Sequence, residues 1–170
     1  MGTRRGRRAV ATVIIVFGLV AAASVRAQEQ QSTRADAGTD KVIRLTPDEL
    51  TWTAGPPMLP PGASMAVIEG SFSKPGPFTV RLKFPANYRI PPHWHPVKVT
   101  VTVISGSFNM GFGDELDPGR GKTLPTGSIF EMPATIHHFG WTTEETIIQE
   151  HGIGPLGVKY LQPAHDGRHQ

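Results

Sequence analysis

His93 and His95 flank one tryptophan in the run Pro91-Pro92-His93-Trp94-His95-Pro96. In an extended strand, side chains two apart point to the same face. The two imidazoles can therefore converge on one ion, and neutral imidazole suits zinc, copper, iron and nickel. The pair alone equally describes two buried histidines bonded to backbone. A second pair, His137-His138, follows Met132-Pro133 at the end of an expected strand. It offers a third ligand, or a half-buried histidine that only bonds backbone. Glu131 is a candidate substitute ligand or a solvent-face residue. Gln149 and His151 share one strand face by parity and are candidate pocket residues, with ordinary edge polarity as the alternative. Trp94 and Trp141 either wall a ligand pocket or pack as buried aromatics. His165 and His169 sit in a polar C-terminal tail and are read as solvated.

Short strands must position these residues. Proline and glycine are dense in PPMLPPG, KPGP and IPPHWHP, which breaks any long helix. Strands are expected over Met65 to Glu69, Phe78 to Phe84, Val97 to Ile104, Ser107 to Phe112, Ser128 to Met132 and Thr146 to His151, with another over Gly157 to Leu161. Leu45 to Leu50 is expected to form one helical turn, with Pro47 early and acids following. In the run VKVTVTV, Val97, Val99, Val101 and Val103 share one face, and Lys98, Thr100 and Thr102 the other. If the extended path continues through Pro96, His93 and His95 join the valine face. Many short strands between turns, with no long helix, make an all-β sandwich or barrel.

Of the 170 residues, the first 27 read as a secretory signal peptide cut after Ala27. Four arginines precede an apolar run from Ala9 to Ala23, and small residues stand at the cleavage positions. The run is short for a membrane span, so no stable anchor is expected after cleavage. The expected location is periplasmic or secreted. Residues 28–45 read as a flexible linker, 46–166 as one domain and 167–170 as a tail.

The whole chain carries 17 basic and 14 acidic residues, but five arginines and no acid lie in the leader. The remainder has 12 basic against 14 acidic residues, a net charge of −2. No basic patch argues for nucleic acid. The absence of cysteine excludes a disulfide scaffold, an iron–sulfur or cysteine–zinc site, and a cysteine nucleophile.

The order of these residues resembles the two motifs of the cupin superfamily. The first, G-x5-H-x-H-x3,4-E-x6-G, aligns with Asn87, His93, His95, Val99 and Gly106. The second, G-x5-P-x-G-x2-H-x3-N, aligns with Gly127, Pro133, Thr135, His138 and Thr142. The resemblance covers roughly Ala54 to Asp166 and looks like a bacterial subgroup of small exported cupins. It implies a double-stranded β-helix, or jelly-roll barrel, with His93, His95 and His138 holding one divalent transition metal (Zn, Fe, Ni, Cu or Mn). The family's glutamate ligand is replaced by Val99. Asn87 and Thr135 replace glycines, and Asn tolerates a positive φ better than a β-branched residue does.

Two functional expectations follow. One is an exported metal-dependent cupin that binds or acts on a small molecule, as an oxygenase, isomerase or lyase. The other is a non-catalytic ligand-binding or structural cupin with a degenerate metal site, a homodimer being one form of it. An all-histidine ligand set leaves the ion its full charge, and loss of a carboxylate should weaken Mn²⁺ more than Zn²⁺ or Cu²⁺. Beyond His137, His151 and Glu131, no general base is evident.

Overall fold

The computed structural model describes Gly2 and residues 42–162. The expected signal peptide apart from Gly2, most of the linker, and His165 and His169 lie outside the described residues. The chain divides into two units, Met1–Ile43 and Arg44–Gln170. The second contains every described element of secondary structure.

Among the described residues, eleven strands form two antiparallel sheets, with short 3-10 turns at Pro47–Glu49 and Pro118–Arg120. The six-stranded sheet contains β1 (Thr53–Ala54), β2 (Ser64–Gly70), β3 (Gly76–Phe84), β5 (Val99–Ser105), β8 (Ile129–Met132) and β10 (Thr146–Gly154), in the order β1-β2-β3-β10-β5-β8. The five-stranded sheet contains β4 (Arg89–Trp94), β6 (Ser107–Phe112), β7 (Gly121–Pro125), β9 (His138–Thr142) and β11 (Lys159–Tyr160), in the order β11-β4-β9-β6-β7. The architecture is the jelly roll expected from the sequence.

Alternation sets which face is inside. In β3, Phe78, Val80, Leu82 and Phe84 are buried while Thr79, Arg81 and Lys83 are not. In β5, Val99, Val101 and Val103 are buried, as the valine pattern requires. Phe84 stacks on Tyr88 with ring centroids 5.0 Å apart and lies 6.1 Å from Phe108, so aromatic rings pack together in the core.

The path through Pro96 differs from the continuous strand expected. The chain bends at Pro96 and Val97, and β4 and β5 lie in different sheets. The histidines and the valines thus face one interior from opposite sides. Pro96 cannot donate to a ladder and lies outside both strands, at the bend between the sheets.

Asn87, Gly106, Gly127 and Thr135, aligned with the glycines of the two motifs, have φ of 61°, 70°, 87° and 66°. The sharp turns are therefore kept where the residue type is not. Thr135 carries the strain, about 1–2 kcal/mol for a left-handed residue with a Cβ. Its amide donates to His95 O at 2.9 Å, joining the loop before β9 to the loop after β4. Thr142, which stands where the family has Asn, ties the turn before β4. Its hydroxyl donates to Pro85 O (2.7 Å) and accepts from Tyr88 N (3.2 Å).

Candidate metal centre

His93 leaves β4 toward the interior, and His138 opens β9 directly opposite it in register. His95 lies just beyond β4. All three are buried. One ring nitrogen from each lies within 4.8 Å of the other two.

Each ring is oriented by a backbone carbonyl. His93 Nδ1 donates to Pro91 O at 2.7 Å, His95 Nδ1 to Gly157 O at 2.8 Å, and His138 Nδ1 to Ile136 O at 2.9 Å. A carbonyl can only accept, so each Nδ1 carries the proton and each Nε2 keeps a lone pair. This is the arrangement that fixes tautomer and ring direction in metal-ligating histidines.

Burial holds all three below the ordinary histidine value. His138 falls to about 4, mainly by burial, with smaller effects from His95 and His137. His93 is held well below its ordinary value, through burial and then the neighbouring His138 and His95. His95 is lowered by burial, partly offset by its bond to Gly157. The cluster is therefore neutral at neutral pH and presents lone pairs. Nitrogens about 2.0–2.1 Å from one tetrahedral zinc lie roughly 3.4 Å apart, within the 4.8 Å bound on the separations in the cluster. The donor set thus fits a borderline transition metal.

A cavity of about 60 Å³ adjoins the histidines. That is room for a few water molecules or part of a small ligand. Its walls are mainly apolar and include Leu59, Met65, Val80, Val99, Met132 and Ile148. Leu156 and Val158 line it from the segment after β10. Val99, aligned with the glutamate of the first cupin motif, is buried and lines it, so no carboxylate stands at that position.

The other candidates from the sequence lie elsewhere. His137 is half-buried and its Nδ1 is 2.7 Å from Asp114 Oδ1. Its neighbour His138 takes the inner face because adjacent strand residues point oppositely. Glu131 is also exposed, 3.1 Å from Lys98 Nζ, with Thr100 Oγ1 at 3.4 Å. It is not in the histidine cluster. Trp94 and Trp141 do not line the cavity; Trp141 stacks with Phe139, centroids 6.0 Å apart.

Gln149 and His151 do share a face, but it is the outer one. Gln149 Oε1 accepts from Arg81 Nε at 3.1 Å, and His151 is exposed. The inner face of β10 carries Thr146, Ile148 and Glu150.

Glu150 is the cavity residue that sequence reasoning missed. It lines the same cavity as the three histidines, and burial alone raises its pKa from 4.5 to about 7. The adjacent Ile147 and Ile148 gave strand parity two readings, and a register irregularity falls between them. Among the signals available, only the alternation Thr146-Ile148-Glu150 pointed to it.

Solved structures with this architecture come from several bacteria. The polyketide cyclase RemF from Streptomyces resistomycificus matches with a TM-score of 0.60 at 15% identity, over 75% of this chain and 90% of that one. An RmlC-like cupin from Ralstonia eutropha JMP134 matches at 0.55 and 20% identity, over 74% and 75% of the two chains. The chain has a cupin fold. A putative acetylacetone dioxygenase from Methylibium petroleiphilum PM1 is also similar, at 0.57 and 17% identity, over 75% and 86%. No family model and no curated protein matches the sequence.

Proposed function

We propose that this cupin holds one divalent transition-metal ion on His93, His95 and His138 and binds or transforms a small, mainly apolar molecule in the adjoining cavity. The observation that carries the reading is the shared wiring of the three rings. Each gives its Nδ1 proton to a carbonyl, and all three offer a ligand nitrogen to one another's vicinity. Buried imidazoles without a partner for that nitrogen are costly, which favours an ion there.

When bound, the ion would supply Lewis-acid polarisation of a substrate oxygen, or activation of water or O₂. The chain's own residues do the rest. The carbonyls of Pro91, Ile136 and Gly157 hold the rings. Val99 leaves a ligand position for the bound molecule, and the apolar walls select a molecule with little charge beyond its metal-binding group. Similar folds described as a cyclase and a putative dioxygenase support a small-molecule role without choosing the reaction. Val99 also supports a second reading, a ligand-binding barrel in which metal affinity has declined.

Elemental analysis of the purified protein separates the two. Near-stoichiometric metal, lost in His93→Ala and His138→Ala, supports the first. Substoichiometric metal, unchanged in both variants, rejects it. We further propose that the protein is exported, from the basic and apolar leader; N-terminal sequencing of the mature protein should begin at Gln28.

A further inference from the structure

Glu150 sits on the wall of the six-stranded sheet that faces the histidine cluster. In register it lies between Val80 of β3 and Val101 of β5, so its strand neighbours on that face are apolar. Among the described residues no hydrogen bond or ion pair reaches its carboxyl group. The titratable groups lining the same cavity are His93, His95 and His138, and each has its proton committed to a carbonyl. None of them shifts Glu150, whose raised value comes from burial alone. Such a carboxyl is near its point of half-ionisation at neutral pH, where a group exchanges protons most effectively. It is also a half-buried polar group on the cavity wall that the fold leaves without a partner, so a molecule entering the cavity can supply one.

We propose that Glu150 is the acid–base residue of this cavity, accepting the proton of an acidic O–H or C–H on a small, mainly apolar molecule such as a phenol or an enolisable ketone. The inference rests on the metal-site reading above, because neutral histidines alone supply no positive partner for the resulting anion. The balance is simple. The substrate O–H or C–H bond breaks, its electron pair stays on the substrate, and the proton bonds to a Glu150 oxygen. The protonated acid can return it to another atom of the same molecule, so no oxidant or reductant is consumed.

3-Nitrophenol is a suitable probe, because its anion is yellow and its neutral form is not. The full chain, loaded with zinc, is titrated in weak buffer at about pH 7.5, where Glu150 is mostly ionised and the free probe mostly neutral. The wild type should bind the yellow anion with no net proton release, the proton staying on Glu150. Glu150→Gln should keep its zinc and either release about one proton per probe bound or bind roughly tenfold more weakly. Glu150→Leu repeats the comparison if the glutamine variant does not fold.

Equal affinity and equal proton release in wild type and variant would overturn the proposal. So would a zinc-loaded wild type that binds no probe. Loss of zinc from Glu150→Gln would overturn it too, since Glu150 would then be serving the ion. A wild type that takes up no zinc overturns the metal-site reading instead. The same titration of the zinc-free protein then decides Glu150 by its affinity and proton release.

Discussion

On the outer face of the six-stranded sheet, Glu131 of β8 lies 3.1 Å from Lys98 Nζ and within reach of Thr100. Two strands away, beyond β5 and on the inner face, Glu150 of β10 looks into a mainly apolar cavity and has no such partner. The environments move the two carboxyls in opposite directions. The bond and charge of Lys98 lower Glu131, whereas burial raises Glu150 to about 7. Arg81 and Gln149 repeat the outer pattern, and Val80, Val101 and Ile148 the inner one. Polar residues outside are matched among themselves or by water. A polar residue inside that is left unmatched by the fold is available to a ligand.

Removing inner packing should have the largest effect. Phe84 is fully buried between Tyr88 and Phe108. Phe84→Ala should cost about 3–5 kcal/mol, read as a lower denaturant midpoint with little change in slope.

The next effect has the opposite sign. The folded pKa of Glu150 is about 7, above its ordinary 4.5. Below 4.5 it is protonated in both states and costs nothing. Between 4.5 and 7 the unfolded chain loses the proton while the folded one keeps it, so this residue's effect on stability grows unfavourable as pH rises. The displacement corresponds to a penalty of at most about 3 kcal/mol, complete above pH 7. In metal-free protein, Glu150→Gln should therefore be more stable than wild type at pH 8 and equal to it near pH 4. A stability difference independent of pH would show that the carboxyl is not buried as described. The histidines act in the other direction: their folded values are lowered, so their contribution is present above 6.5 and lost as pH falls. Unfolding curves of both proteins across this range separate the two slopes.

Much of this contrast was legible in the sequence, and its failures have specific causes. The valines of β5 fixed an inner face through strict alternation. The spacing of His93, His95 and His138 pointed to one site even though the straight path through Pro96 was mistaken. Two sheets facing each other place residues together as readily as one continuous strand does. β4, β7 and β9 were not separated as strands, because prolines crowd β4 and glycines or paired histidines interrupt the alternation of the others. Glu150 was hidden by Ile147-Ile148, where either parity puts an isoleucine inside. The carbonyls of Pro91, Ile136 and Gly157 leave no mark of residue type at all, since every residue has one.

The smallest expected effect comes from the outer carboxylate. Glu131 and Lys98 are both largely exposed, with side-chain exposures of 58% and 60%. An exposed ion pair exchanges water for a partner at nearly equal free energy and is screened by salt. Glu131→Gln should therefore leave the unfolding midpoint within error of the wild type. It should also leave metal content unchanged, because Glu131 lies on the face away from the histidines. Paired with Glu150→Gln in one experiment, it controls for loss of a negative charge from the same sheet. If the two variants shift midpoint and pH slope alike, the distinction between inner and outer carboxylates fails. If only Glu150→Gln responds, the effect belongs to the cavity and not to the net charge of the protein.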